Sequence, residues 1–253
     1  NPIFFELTKS FRQEEDDIFY ELLNNVRLGI NLEETIDRIN KHCHDPSLEV
    51  EPFMTLTSRK NRAEDINLHK LSHNDNAEEV IPSKEKGELK ENDLPAPREL
   101  KIKEDAKVMF IKNDSEGRWV NGTIGTITEC LDRKKKCIKV KVNGRTHKVE
   151  REEWKKVKFA YNEDLDEVYE EVISSFKQFP IQLGWAVTIH KAQGLTLESA
   201  SVDLGDGAFA TGQAYVALSR CKTLDSLNLV KELKVSDALV DPDIQDFHSR
   251  HFS

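Results

Sequence analysis

The sequence predicts an α/β layer domain that carries an inserted small antiparallel β-barrel. Three observations lead there. An apolar run at 52–57 is followed at once by a helical stretch at 59–71, the strand-then-helix unit of a layered α/β fold. Between 107 and 149 the pattern changes to short alternating runs broken by tight-turn residues, as a compact barrel requires. After 160 strand-like and helical runs alternate again, so the barrel interrupts its host. The expected domains are therefore 1–99 together with 159–253, and 100–158 as the insertion.

Each element has its own signal. Ile18, Leu22, Leu23 and Val26 fall at helical spacing within 14–28, and Gly29 supplies the stop. Asn31 offers an N-cap to a second helix at 32–43, with Glu34 as its capping-box partner. Residues 73–98 are polar and acidic, punctuated by Pro82, Gly87, Pro95 and Pro97, and read as a surface connection. Lys107–Lys112 reads as a strand, and Gly122–Thr128 alternates around two glycines. Ile138–Val142 alternates strictly, and Asn143-Gly144 signals a type I′ turn into Thr146–Val149. A span of about 60 residues has a marginal core alone, which favours support from a host domain. Val172, Ile173 and Pro180 tilt Tyr169–Phe179 towards strand. Ala200–Leu204 and Leu227–Val230 read as strands, and Gly212–Ser219 and Pro242–His248 as helices.

Composition narrows the function classes. The 253 residues are 38% hydrophobic and 33% charged, as in a soluble globular chain, and no apolar run approaches the length of a membrane span. No basic segment followed by an apolar core opens the sequence. It starts without Met and runs straight into Ile3-Phe4-Phe5, which is expected of a cut from a longer chain. Cys43, Cys130, Cys137 and Cys221 are scattered, as free thiols in a reducing intracellular compartment, cytoplasm or nucleoid or nucleus, would be. Cys130 and Cys137 are alternatively placed to meet across a hairpin. His42-Cys43-His44 lacks a second ligand cluster at a recognised spacing, so no metal site is expected. The net charge is −9, yet residues 101–158 hold 17 Lys/Arg against 9 Asp/Glu. A basic segment in an acidic chain is the footprint of a local polyanion contact.

Three segments carry recognisable chemistry: Leu7–Gln13, Thr188-Ile-His-Lys-Ala-Gln-Gly-Leu-Thr196 and Gln213-Ala-Tyr-Val-Ala-Leu-Ser-Arg-Cys221. Their order resembles the late motifs of superfamily 1 helicases, in particular the 5′-to-3′ branch with the Pif and RecD groups. Thr188–Thr196 is similar to motif V, Tyr215–Arg220 to motif VI, and Phe11-Arg12-Gln13 with the helix after it to motif IV. Phe53–Asn67, with Thr57, Arg59, Asn61 and Asn67, resembles the DNA-contacting segment that follows. The likeness covers almost the whole chain.

The resemblance implies the second RecA-like domain of a helicase, related to P-loop NTPases but lacking the P-loop, with a Src-homology-type barrel at 100–158. It implies ATP and Mg²⁺ in the full-length enzyme, held between this domain and an N-terminal RecA-like ATPase domain of the same polypeptide, and single-stranded DNA as partner. Arg12 and Arg220 are then the cations that meet the γ-phosphate, a role for which a planar, permanently charged fork is suited. An ordinary helix-start arginine and an interdomain salt bridge are the respective alternatives. Gln13, Gln193 and Gly194 fall on the nucleotide side. Thr57, Arg59, Asn61, His190, Lys191 and Thr196 fall on the DNA side, with a structural histidine the alternative for His190. Arg133, Lys134 and Lys135 form a phosphate patch on the barrel or, alternatively, a solvated hairpin tip. Trp119 is a base-stacking candidate set against core packing, Trp154 is expected to close the barrel, and Trp185 to lie in the core.

No G-x-x-x-x-G-K-[ST] occurs, and Gly205-Asp-Gly207 is too short to be one. The expectation is that these residues alone neither hydrolyse ATP nor bind it tightly. The competing class is a helicase-derived module that binds nucleic acid, or regulates, without a motor.

Overall fold

The computed structural model describes residues 4–6, 9–14, 16–45, 54–91, 94–132, 136–162 and 167–252. Their elements, in chain order, begin with α1 (Asp17–Leu28), α2 (Leu32–Cys43), β1 (Met54–Thr57) and α3 (Lys60–Ser72). Strands β2 (Glu79–Pro82), β3 (Lys84–Lys86), β4 (Glu99–Ile102), β5 (Lys107–Phe110), β6 (Ile124–Asp132), β7 (Cys137–Val142) and β8 (Arg145–Glu150) come next. After them run β9 (Glu152–Asn162), β10 (Glu167–Gln178), β11 (Ile181–Leu183), β12 (Ala186–Thr188) and β13 (Ala200–Asp203). The chain closes with α4 (Gln213–Leu218), β14 (Leu227–Leu229) and α5 (Pro242–Phe252). Contacts divide it into two units, Asn1–Asn67 with Trp185–Ser253, and Leu68–Gly184.

The first unit is built on a parallel sheet in the order β12-β1-β13-β14. Every residue of β1, β13 and β14 is buried, as expected of parallel strands covered on both faces. Phe19, Leu22, Leu23 and Val26 of α1 and Ile36 and Ile39 of α2 are buried. Asp16 caps α1, its Oδ1 accepting from the Phe19 N–H at 2.8 Å. Its Oδ2 accepts from the Leu224 N–H at 2.9 Å, tying the helix start to the stretch after α4. Asn31 does not cap α2: it sits in the left-handed region at φ 46° with no side-chain cap bond. Asn67 clasps the sheet edge. Its Nδ2 donates to Ala186 O at 2.7 Å, and its Oδ1 accepts from the N–H groups of Trp185 and Ala186. Trp185 is buried, as expected.

The second unit holds a five-stranded antiparallel sheet, β11-β5-β6-β7-β8, a β2–β4 pair and a three-stranded sheet, β3-β10-β9. Val108, Phe110, Ile127, Ile138, Val140, Val149 and Ile181 bury their side chains with Ile81 and Leu100 from the β2–β4 pair. Trp119 joins this core, 6% exposed and stacked on Phe110 with ring centroids 4.3 Å apart. The Asn143-Gly144 turn has positive φ at both residues, 47° and 79°, as the type I′ hairpin requires. All four cysteines are free thiols.

This unit is wider than the 100–158 expected. The 73–98 stretch is not only a connection: β2 pairs with β4 and places Ile81 in the core. On the far side β9 and β10 form a long hairpin, with Val157 opposite Val172 and Trp154 opposite Phe176. Trp154 lies on that hairpin, 6.1 Å from the Phe176 ring. No helix among the described residues is long and apolar enough to cross a membrane.

Candidate functional site

The parallel register of the first unit fixes where its loops emerge. Thr57 pairs with Thr188 on one side and Asp203 on the other, while Met54 pairs with Ala200. The carboxyl ends of β1, β12 and β13 therefore share one edge, where open α/β sheets bind ligands. The segments leaving that edge start at Ser58, Ile189 and Leu204. The second of them returns to the opposite edge: Leu197 forms a parallel bridge with Cys221 ahead of β13. One continuous stretch, 189–197, thus touches both ends of the sheet.

At the returning end, three distant segments meet. Arg12 donates from Nε to Thr196 Oγ1 at 3.0 Å and from Nη1 to Ser219 O at 2.9 Å. Gln13 is buried and donates from Nε2 to Cys221 O at 2.9 Å, with Ser219 O at 3.4 Å. Arg220, 8% exposed, donates from Nε to Val216 O, from Nη1 to Leu195 O and from Nη2 to Ser219 Oγ. Its backbone carbonyl accepts from the Leu197 N–H at 2.9 Å. Burial, and then the neighbouring charge of Arg12, lower the pKa of Arg220. Among the described residues no carboxylate forms an ion pair with either arginine. Two neighbouring guanidiniums with no carboxylate partner among the described residues make an electropositive spot that an anion would relieve. Thr196, expected among the strand contacts, is exposed and accepts from Arg12. Gln193 and Gly194 are exposed in the turn between the two edges, Gly194 at φ +81° with open space where a Cβ would stand. Only backbone conformation restricts that position, and it favours glycine.

The carboxyl edge carries the other group. Thr57 is fully buried, and its hydroxyl donates to Arg59 O at 3.0 Å, so it shapes the turn instead of facing outward. Arg59 and Asn61 are exposed, and Asn61 Oδ1 accepts from the Arg62 N–H at 2.9 Å. His190 and Lys191 are exposed at the end of β12. Partial desolvation and the nearby charge of Lys60 lower the pKa of Lys191, with Glu64 opposing. Asn67, expected with this group, is spent on the sheet clasp. Arg133, Lys134 and Lys135 lie outside the described residues. Trp119 is sealed in its core, unavailable for stacking.

Some residues escape a reading of the sequence. Asp203, 1% exposed at its side chain, pairs through Oδ2 with Arg62 at 2.9 Å, and its Oδ1 accepts from the Gly205 N–H. A lone carboxylate inside the apolar run Ala200–Leu204 is the signal that marks it. Ser58 Oγ donates to Leu204 O at 2.9 Å, joining the loops after β1 and β13. His42, Cys43 and His44 turn to three separate partners, Asp225, Leu224 O and Leu229 O. Among the described residues no group of three or more His, Cys, Asp and Glu is placed to hold a metal.

No family model matches the sequence. Among curated proteins, an ATP-dependent DNA helicase Pif1 of Bdellovibrio bacteriovorus is 34% identical over 241 residues, covering 93% of this chain and 52% of the relative. Among solved structures, unliganded Pif1 from Bacteroides sp is similar with a TM-score of 0.81 and 31% identity, covering 97% of this chain and 56% of that one. A Bacteroides Pif1 helicase in complex with ADP-AlF3 and ssDNA is similar with a TM-score of 0.74 and 31% identity, covering 98% of this chain and 56% of that one. The chain spans about half the length of this curated relative and of these structures.

Proposed function

The chain belongs to the Pif1-type superfamily 1 helicases and corresponds to a C-terminal part of one, and we propose that its first unit supplies the cations that sense the γ-phosphate of ATP. The observation that carries this is the pairing of Arg12 and Arg220 around Ser219, with no carboxylate paired to either among the described residues. A polyphosphate brought to this face meets two fixed positive charges whose orientation is already set, so little reorganisation is needed in the transition state. Gln13 holds the Ser219–Cys221 backbone in place, and Gln193 and Gly194 face the same nucleotide. A module that only bound nucleic acid would have no use for cations arranged in this way. The residues gathered at this face are cationic, so Mg²⁺ would be held by the phosphates and by a phosphate-binding half.

Single-stranded DNA is assigned to the carboxyl edge, through Arg59, Asn61, His190 and Lys191, with Thr57 positioning Arg59. The second unit's five-stranded sheet and β2–β4 pair are read as the inserted barrel, its basic surface, with Arg133, Lys134 and Lys135, adding phosphate contacts. Because 189–197 spans both edges, a shift on either side is felt on the other. These residues contain no P-loop pattern, so turnover requires a phosphate-binding half, and the chain by itself is an inactive ATPase. The test is steady-state ATP hydrolysis by a polypeptide joining this chain to the phosphate-binding half of a Pif1-type helicase. Arg220→Lys is expected to lower kcat by about 10³ or more, the scale of an arginine finger, with KM little changed. An unchanged kcat would refute the assignment.

A further inference from the structure

The first unit holds a pocket of about 470 Å³, between α1, α2 and the stretch after α4, that the reading above leaves unused. Its floor is apolar: Leu22 and Leu224 are buried, and Ile18 lines one side, 55% exposed. Arg38, Lys41 and His42 come from α2. Their spacing puts them on one face of that helix, as a cationic wall. Asp16 and Asp225 complete the lining, but both carboxylates already have partners. Asp16 accepts from the Phe19 N–H through Oδ1 and from the Leu224 N–H through Oδ2. Asp225 Oδ1 meets His42 Nε2 at 2.6 Å. Lys41 pairs with Asp37 at 2.6 Å. Arg38 is exposed, and among the described residues no carboxylate forms an ion pair with it. An apolar floor therefore lies beside a guanidinium that can take an anion.

We infer that this pocket takes the end of an acidic peptide, with a bulky apolar terminal residue on Ile18, Leu22 and Leu224 and its α-carboxylate on Arg38. Two features select a chain end over a compact small molecule. The rim is open, with Ile18 55% exposed and the Asp225 side chain 87% exposed, whereas small-molecule pockets enclose most of their ligand. The apolar floor and the cation also lie side by side, and a terminal residue carries its side chain and its carboxylate on one carbon. The guanidinium fork suits that carboxylate bidentately. Acidic residues ahead of the end gain from Lys41, one turn further along α2. The net charge of the chain is −9, so a cationic wall selects where an acidic partner can approach. The pocket adjoins the Arg12 segment, since the Asp16 N–H donates to Gln13 O at 3.3 Å. Peptide binding itself does not rest on the nucleotide reading.

The test is fluorescence anisotropy of this chain with a short labelled peptide of aspartates ending in leucine and phenylalanine, as the free acid and as the C-terminal amide. Wild type is expected to bind the free acid and to prefer it to the amide. Arg38→Glu is expected to weaken the free acid about tenfold or more, the scale of a hydrogen bond to a charged group, and to abolish the preference over the amide. Ile18→Asp is expected to weaken both peptides about tenfold, the scale of one buried apolar side chain. Both positions are exposed, so the variants keep the fold, which circular dichroism checks. Lys231→Glu, the same charge change at an exposed lysine outside the pocket lining, is expected to leave both affinities unchanged. No binding by wild type, equal affinity for acid and amide, or equal losses in Lys231→Glu and Arg38→Glu would overturn the proposal. None of these outcomes bears on ATP turnover by the joined polypeptide, so this site and the arginine pair fail separately.

Discussion

Arg12 and Thr196, 184 residues apart in sequence, are joined by a 3.0 Å hydrogen bond from the guanidinium Nε to the threonine hydroxyl. That bond holds Arg12 where it also reaches Ser219 O, beside Arg220. It is exposed, so its worth to folding is small, while its worth to orientation is not. Thr196→Val is expected to change stability by less than about 1 kcal/mol. It is expected to lower ATP turnover of the joined polypeptide by about 10- to 100-fold, the scale of a misplaced catalytic group. Thr196→Ser retains the acceptor and should restore turnover. Chemical denaturation and steady-state kinetics on the same preparations check both halves.

Asp203 predicts a different outcome for Arg62. The carboxylate is sealed in β13 and its cation comes from α3. Removing the cation leaves a buried charge with, among the described residues, the Gly205 N–H as its remaining hydrogen-bond donor. Arg62→Ala is expected to cost about 3 kcal/mol, read as a lower denaturant midpoint at unchanged slope. The double change Arg62→Ala with Asp203→Asn should recover part of that loss.

Thiol titration gives a pH dependence. Burial, with Cys221 and Asp225 nearby, pushes the Cys43 thiol from 9.0 up to about 12, and burial pushes Cys221 up to about 11. Above pH 9 the unfolded chain releases protons that the folded chain keeps, so stability is full below that pH and falls as pH rises towards 12. Cys43→Ala should flatten this alkaline loss in denaturation curves measured from pH 8 to 11. At pH 8 thiol reagents should label Cys43 and Cys221 only after unfolding.

Binding of single strands should depend steeply on salt. Affinity of the chain for an oligothymidylate is expected to fall about tenfold or more between roughly 50 and 200 mM salt. Replacing Arg133, Lys134 and Lys135 with glutamine should reduce the slope of log affinity against log salt. A flat dependence would remove phosphate contacts from the account.

The motifs were legible in the sequence because their chemistry is carried by residue type at fixed local spacing. Thr188–Thr196 and Tyr215–Arg220 announce themselves without a fold. The elements with clean periodicity were legible for the same reason, down to the Asn143-Gly144 hairpin. Long-range convergence was not. Nothing local to Thr196 says that its hydroxyl meets Arg12, and nothing local to Asn67 says that it clasps Trp185 and Ala186. Residues 73–98 looked like a connection because proline and acid dominate, yet Ile81 finds a place in a core built by distant strands. Asn31 has the right chemistry for a cap, but its left-handed backbone makes no side-chain cap bond.

On the proposed function, Arg12 and Arg220 act together on one phosphate. A double-mutant cycle on kcat tests it most directly, with Arg12→Lys and Arg220→Lys, singly and combined, in the polypeptide that restores the phosphate-binding half. Groups that act as a unit are grossly non-additive. Each single change is expected to lower kcat by about 10³ or more, and the combination to be scarcely worse than either one. Single variants with wild-type turnover, or ATP hydrolysis by this chain alone that persists in the double variant, would contradict it.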